Sequence, residues 1–139
     1  MTEAELLIEE IKLTLYVMPK AGSSGVEFLL DDTDLPNDCK KIGKALKCTK
    51  KKRYLLEFTL EPLEGLALVF DHADPFTAQS GAKCPPDSGP LPPAFTDPTR
   101  SDRIFSVEYK PTDDVYSYAL KVSDGSATYE FDPIIINRG

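Results

Sequence analysis

The stretch VYSYALKV, residues 115–122, decides the fold class. Its larger apolar side chains recur at every second position, at Tyr116, Tyr118, Leu120 and Val122. A period of two places these side chains on one face of an extended chain, whereas a helix needs a period near 3.6. The stretch is therefore predicted to be a half-buried β-strand.

The same period recurs along the chain, in the runs EIKLTLYVM (10–18), RYLLEFTL (53–60), RIFSVEY (103–109) and ATYEFDPIIIN (127–137). Turn signals rich in Gly, Pro, Asp and Ser separate these runs, and SDGS at 123–126 is typical of a hairpin. We expect an all-β fold, an antiparallel β-sandwich of about seven to eight strands in one domain, residues 1–139. A barrel is the alternative architecture, and without Trp the Cys…Trp…Cys signature of immunoglobulin domains is missing.

Composition narrows the class of protein further. The chain has 139 residues, 41% of them hydrophobic and 28% charged, which is typical of a folded domain. No apolar run approaches the roughly 20 residues that span a bilayer, and the start MTEAELLIEE lacks the features of a signal peptide, so a cytoplasmic protein without membrane contact is expected. The net charge of −7 disfavours nucleic acid and anionic membranes as partners.

One segment departs from this acidic balance. Within the run DCKKIGKALKCTKKKR, residues 38–53, the part 40–53 carries eight cations and no acidic residue, which leaves the rest of the chain at 8 − 23 = −15. Ile42, Ala45 and Leu46 lie at helical spacing behind a capping Asn37 or Asp38. The segment is therefore predicted to be a short helix or, because of its internal glycine, a basic loop.

Adjacent ammonium groups could hold a phosphate or an acidic partner. The candidate contacts for an anion or a partner are Lys47, Lys50, Lys51, Lys52 and Arg53. The alternatives are a solvated loop that offsets the acidic body, and self-association in a homodimer, in which this segment faces the acidic surface of a second subunit. Nucleic acid is disfavoured because only Tyr54 adjoins the segment as a stacking partner.

Asp71, His72 and Asp74 in FDHADP form the most compact candidate site. Two carboxylates and an imidazole at a strand end could bind a divalent metal or perform acid–base chemistry. Loop capping by the two aspartates is the competing interpretation. His72 is the sole histidine, so no multi-histidine metal site is predicted. No cofactor is expected.

The cysteines Cys39, Cys48 and Cys84 are predicted to be free thiols, as is usual in a reducing cytoplasm. A bridge between Cys39 and Cys48 would require oxidising conditions. If both were thiols, Cys48 among its lysines would be a reactive candidate, and a zinc site shared with His72 would lack the usual C-x-x-C pair.

Two further segments are predicted to lie outside the strands. DDTDLPND, residues 31–38, suggests turns and a helix cap, since it lacks the glycine and distal glutamate of a calcium-binding EF-hand loop. CPPDSGPLPPAFTDP, residues 84–98, is rich in proline and predicts a stiff loop that covers a sheet edge. Its residues 90–93 also match a minimal PxxP ligand pattern.

The end of the chain resembles a known family. FSVEYKPTDDVYSYALKVSDG (105–125) and YEFDPIIIN (129–137) are similar to a group of small bacterial proteins known as the DP-EP family. The resemblance implies a bacterial β-rich domain without an established activity, and it transfers no catalytic residue. Together these observations predict a non-catalytic binding or assembly module. The alternative is a metal- or small-ligand-dependent enzyme built around Asp71, His72 and Asp74.

Overall fold

The computed structural model describes residues 8–22, 25–82 and 90–137. In these ranges twelve strands form two mixed sheets and no helix occurs. The sheets do not close into a barrel, and the predicted β-sandwich is confirmed. The strands are β1 Glu9–Pro19, β2 Val26–Asp34, β3 Cys39–Ile42, β4 Ala45–Cys48, β5 Tyr54–Pro62, β6 Val69–Phe70, β7 Phe76–Ser80, β8 Phe95–Arg100, β9 Ile104–Tyr109, β10 Val115–Ser123, β11 Thr128–Phe131 and β12 Ile134–Asn137.

The first sheet has five strands in the order β2-β1-β5-β9-β8, and the second runs β3-β4-β12-β10, with β11, β6 and β7 also paired to β10. The prediction of purely antiparallel sheets is wrong at two places, because β1 pairs β5 and β12 pairs β4 in parallel. The chain leaves β1 for β2 and the other sheet before it returns as β5. Strand β5 therefore lies beside β1 and runs in the same direction.

The strands outnumber the predicted seven or eight partly because a long strand is interrupted. Leu120 pairs Phe131 and Ser117 pairs Ile134, so β11 and β12 keep a single register along β10. Pro133, which has no N–H to donate, breaks the ladder between them, although its carbonyl still accepts a hydrogen bond from the Tyr118 N–H at 3.1 Å. The strand is thus interrupted at the Asp132–Pro133 step.

The basic segment forms a β-hairpin, and the predicted helix is wrong. Cys39 pairs Cys48 and Ile42 pairs Ala45 across a turn of two residues. The first turn residue, Gly43, has φ 60°, a left-handed value that favours glycine and suits the first central position of a type II′ turn. Leu46 and Cys48 point into the core at strand spacing. The period of two is hard to recognise in the sequence, because each strand of the hairpin has only four residues and Ile42 is exposed.

Aromatic rings fill the space between the sheets. Phe76 contacts Phe105 with ring centroids 5.1 Å apart, and Phe58 contacts Tyr118 at 5.6 Å. Strand β10, which lies in its sheet between β7 and β12, is buried on both faces from residue 116 to residue 120. The prediction that VYSYALKV is only half-buried is therefore wrong.

Two buried tyrosines allow a matched prediction. The Tyr118 hydroxyl has no hydrogen-bond partner among the described residues, whereas the Tyr109 hydroxyl donates to Oδ1 of the buried Asn137. Tyr118→Phe is expected to raise the free energy of unfolding by about 1 kcal/mol, because it removes an unsatisfied polar group. Tyr109→Phe is expected to lower it by about 1–2 kcal/mol, since it strands an acceptor. Urea denaturation measures both, and equal losses in the two variants would contradict the prediction.

Candidate functional site

The Asp71–Asp74 loop is an excursion between two strands that both pair with β10. Phe70 on β6 pairs Val122, and Phe76 on β7 pairs Leu120. The five residues 71–75 between them therefore bulge out opposite the single residue Lys121. The Asp71 Oδ2 accepts hydrogen bonds from the N–H groups of Ala73 at 3.2 Å and Asp74 at 2.8 Å. Asp71 thus caps the loop that it begins, as the competing interpretation predicted.

The other two residues of this candidate site have different partners. Asp74 accepts a hydrogen bond from Lys121 Nζ at 2.7 Å, while the exposed His72 lies with Nε2 3.5 Å from Nη2 of Arg100. The three side chains therefore do not converge on one point. Among the described residues no group of three or more His, Cys, Asp or Glu could hold a metal ion.

Arg100 on β8 holds this loop from the opposite sheet. Its Nε donates to the carbonyl oxygens of Phe70 at 3.0 Å and Asp71 at 3.1 Å, and its Nη2 donates to the Phe70 oxygen at 2.9 Å. Nη2 also pairs with Asp102 Oδ1 at 3.0 Å. Arg100 could not be predicted as part of this site from the sequence, because no local pattern connects residue 100 with residues 70–72.

A cavity of about 260 Å³ opens between the loop and the edge of the first sheet. His72, Asp74 and Arg100 are its polar lining residues. The rest of the lining is apolar: Ala73, Pro75, Phe76, Leu91, Pro98 and Phe105. Leu91 belongs to the proline-rich segment, whose residues 84–89, with Cys84, lie outside the described residues. The described part of that segment thus covers the open side between β7 and β8, where it was predicted to cover an edge.

Most cations that follow the hairpin are paired within the molecule. Residues 49–53 cross from β4 to β5, and three of them reach carboxylates on different elements. Lys51 Nζ lies 2.6 Å from Asp114 Oδ1. Lys52 Nζ lies 2.6 Å from Glu9 Oε1 and 3.4 Å from Asp38 Oδ2, and Arg53 pairs with Glu108. These three predicted contact residues hold the crossover to its own domain.

The cations on the hairpin strands behave differently. Among the described residues, Lys40 and Lys47 on these strands form no ion pair, and neither does Lys50 on the crossover. Lys41 Nζ donates to the Gly43 carbonyl oxygen at 2.8 Å. Lys40 and Lys47 stand directly opposite each other on β3 and β4, an arrangement of like charges that destabilises a sheet. They line a concavity of about 210 Å³ with Asn37, Asp38, Cys39 and Thr49. An anion placed there would relieve the repulsion.

The acidic run DDTD continues β2, and its prediction as a turn is wrong. β2 is the outer strand of the first sheet and extends to Asp34. Asp31 and Asp32 are exposed and form no ion pair with a described residue. Leu29 beside them is 52% exposed. The acidic run is thus spread along an open strand edge and does not form a compact cage around a cation.

Asp38 connects the start of the hairpin to the core. Its Oδ2 accepts a hydrogen bond of 2.6 Å from the hydroxyl of the buried Tyr54. Burial by itself raises the pKa of the Asp38 carboxyl, but the hydrogen bonds from Tyr54, its own backbone and Lys52 outweigh that effect, so the pKa lies below its usual value. Burial, followed by the bond to Asp38, raises the pKa of Tyr54 far above its usual range.

A second carboxylate pair was missed by the sequence analysis. Asp97 has φ 52° at a bulge between β8 and β9. Its hydrogen bond to Glu108, and then the negative charge of Glu108, raise the pKa of Asp97. The hydrogen bond from Arg53 is the largest cause of the lowered pKa of Glu108. Asp97, Glu108 and Arg53 line a concavity of about 410 Å³, where the arginine offsets the negative charge of the carboxylates. These three residues are distant in sequence and become neighbours only through strand pairing.

The cysteines contradict the sequence-based expectation. Cys39 and Cys48 form a disulfide, with Cα atoms 4.1 Å apart, so the prediction of free thiols is wrong for this pair. Neither sulfur is available as a reactive thiol or as a zinc ligand. Cys84 lies outside the described residues.

Comparison of the sequence with family models and with curated proteins gives no match. In the part of the chain that the structure describes, no helix is long and apolar enough to cross a membrane.

Proposed function

We propose that this chain is a non-catalytic binding module that associates with a second copy of itself along the side formed by β2 and β3. The observation that carries the proposal is a pair of neighbouring outer strands of opposite charge, whose outer edges and charges have no partner among the described residues. β2 carries Asp31 and Asp32, and β3 carries Lys40 and Lys41.

The two edges lie on the same side of the sandwich. β2 ends the first sheet and β3 ends the second, and only residues 35–38 separate them in the chain. A two-fold contact between two copies would place the acidic edge of each against the basic edge of the other. Such a contact is self-complementary and closes as a dimer.

Each edge also offers apolar surface. Leu29 on β2 and Ile42 on β3 are the two most exposed large hydrophobic side chains among the described residues, at 52% and 51%. Charges on an open edge oppose indiscriminate strand pairing. Because the two edges carry opposite charges, pairing of β2 of one copy with β3 of the other is favoured over pairing of like edges. This supports a specific contact.

The Lys40–Lys47 pair supports the same partner. Two ammonium groups that face each other without a described counter-ion favour an incoming carboxylate. Asp31 and Asp32 of a second copy supply carboxylates of the required kind. Lys50, the remaining predicted contact without a described ion pair, lies just beyond the hairpin and adds to this positive field.

The proposal extends to the compartment in which the protein works and to its family. The Cys39–Cys48 disulfide supports an oxidising compartment and does not support the cytoplasm expected from the N-terminal sequence. Membership of the DP-EP family, suggested by residues 105–125 and 129–137, agrees with a β-rich domain and assigns no catalytic residue.

A second candidate function is the ligand-dependent enzyme around Asp71, His72 and Asp74. One observation favours it, because His72 and Asp74 line the same cavity. Against it, Asp71 caps its own loop and Asp74 is paired with Lys121, so neither carboxylate is poised for proton transfer.

Charge reversal tests the proposed association. Sedimentation velocity of the wild type is expected to show a concentration-dependent dimer. The variant K40E/K41E and the variant D31K/D32K are each expected to weaken it by about tenfold or more, because like charges then face each other. An equimolar mixture of the two variants is expected to restore the dimer, since each acidic edge again meets a basic one.

The control R103E/K110E makes the same change of net charge as K40E/K41E. Its two residues lie beyond the ends of β9, away from this side, and it is expected to leave the dimer unchanged. A wild type that stays monomeric up to about 1 mM, the range of the weakest specific contacts, would overturn the proposal. So would a mixture of the two reversed variants that fails to associate.

A further inference from the structure

The cavity beside His72 lies on the side of the sandwich opposite to the proposed association surface. Its walls come from the β6–β7 loop, from β8 and β9, and from Leu91, whereas β2 and β3 end the two sheets on the other side. A ligand in this cavity would therefore leave the β2–β3 side uncovered. What the cavity binds is independent of whether the protein dimerises.

Arg100 is the one cation among the described residues that line the cavity. Its Nε and Nη2 are held by the carbonyl oxygens of Phe70 and Asp71, so the guanidinium is fixed before any ligand arrives. The two N–H groups of Nη1 have no hydrogen-bond partner among the described residues. A guanidinium that is held in place in this way loses little freedom when it accepts an anion.

The carboxylates near Arg100 leave it accessible. Asp102 pairs with Nη2, but its side chain is 65% exposed, so a competing anion can replace it at small expense. Asp74, on the cavity lining, is paired with Lys121. One guanidinium therefore faces one loosely held carboxylate.

The rest of the lining determines what the anion must carry. Phe76, Phe105 and Leu91, with Pro75 and Pro98, form apolar walls that favour a ring or a short hydrocarbon chain. One guanidinium can pair with one carboxylate through charged hydrogen bonds. A doubly charged phosphate would leave a charge without a counter-ion in this apolar surrounding, close to Asp74 and Asp102.

We infer that this cavity binds a small monocarboxylate with an apolar body, its carboxylate on Arg100 and its body between Phe76, Leu91 and Phe105. His72 at the rim contributes a hydrogen bond to the same carboxylate. This site differs from the acid–base or metal site predicted for Asp71, His72 and Asp74, because the residue that selects the ligand is Arg100.

Titration of the full chain with benzoate, followed by ¹⁵N–¹H NMR, tests the inference. Benzyl alcohol serves as the uncharged probe of similar shape. Benzoate is expected to shift the amide signals of residues 72–74, 76 and 100–105. It is also expected to bind about tenfold more tightly than benzyl alcohol, the preference that one charged hydrogen-bonded contact provides. Equal affinity for the two probes, or shifts confined to other residues, would overturn the inference.

Variants separate the cavity from the stability of the loop. Arg100→Gln removes the preference for benzoate but also loosens the loop. Asp102→Asn leaves the loop bonds intact and is expected to tighten benzoate binding about threefold or more, because it removes the competing carboxylate. Leu91→Trp fills the cavity and is expected to weaken both probes by about tenfold or more. If Asp102→Asn weakened benzoate, or Leu91→Trp left it unchanged, the assignment would be wrong.

Discussion

Reduction of the Cys39–Cys48 disulfide is expected to lower the free energy of unfolding by about 3 kcal/mol. The bond closes a loop of ten residues around the β3–β4 hairpin, and chain entropy in the unfolded state assigns about this value to a loop of that size. The hairpin depends on the bond because it lies at the end of its sheet, with β4 as the one described neighbour of β3.

The measurement is urea denaturation with and without a phosphine reductant in a Cys84→Ser background, which leaves only this pair of cysteines. The variant C39A/C48A is expected to lose a similar amount and to be insensitive to the reductant. Stability that the reductant leaves unchanged in the Cys84→Ser protein would contradict the prediction. Mass spectrometry after alkylation of freshly extracted protein would show whether the bond exists in the compartment where the protein works.

Replacement of Asp38 by Ala is expected to lower the free energy of unfolding by about 2–3 kcal/mol at pH 7. The change removes a charged acceptor whose side chain is only 11% exposed and leaves the Tyr54 hydroxyl and Lys52 without it. Asp38→Asn keeps an oxygen for Tyr54 and is expected to lose about 1 kcal/mol, the part that depends on charge.

The effect depends on pH in a defined direction. Because the folded pKa of Asp38 is depressed, its ionised form contributes stability above the unfolded value of about 4, and this contribution disappears as pH falls through the folded pKa. The difference between the wild type and Asp38→Asn is therefore expected to shrink below about pH 4. Denaturation curves at pH 7 and pH 3 test this. A difference that persists unchanged at pH 3 would show that the carboxylate charge is not its source.

Tyr54→Phe provides the partner variant for Asp38. If the hydroxyl and the carboxylate act together, the losses in Tyr54→Phe and Asp38→Ala are expected to be less than additive in the double variant, because one hydrogen bond is removed only once. Full additivity would indicate that Asp38 stabilises the hairpin through Lys52 and the crossover alone.

The site residues show where local patterns stop being informative. Asp71 acts as a loop cap, which its position before Ala73 and Asp74 already suggested. Arg100 is near this loop only because β8 and the β6–β7 loop lie at the same side of the sandwich, on different sheets. The sequence of neither segment indicates this contact, so the cavity could not be predicted.

The alternation of apolar and polar residues determined the β-class and the two packed sheets, because side chains of period two can bury one face only against another such face. Pro133 determined the interruption between β11 and β12, because proline cannot donate a hydrogen bond to the ladder. The tertiary structure alone decided the parallel pair β1–β5, the Cys39–Cys48 disulfide and the partners of the basic run. Each of these features depends on which distant segments become neighbours. The contacts between strands that stabilise one pairing over another do not appear in any local sequence pattern.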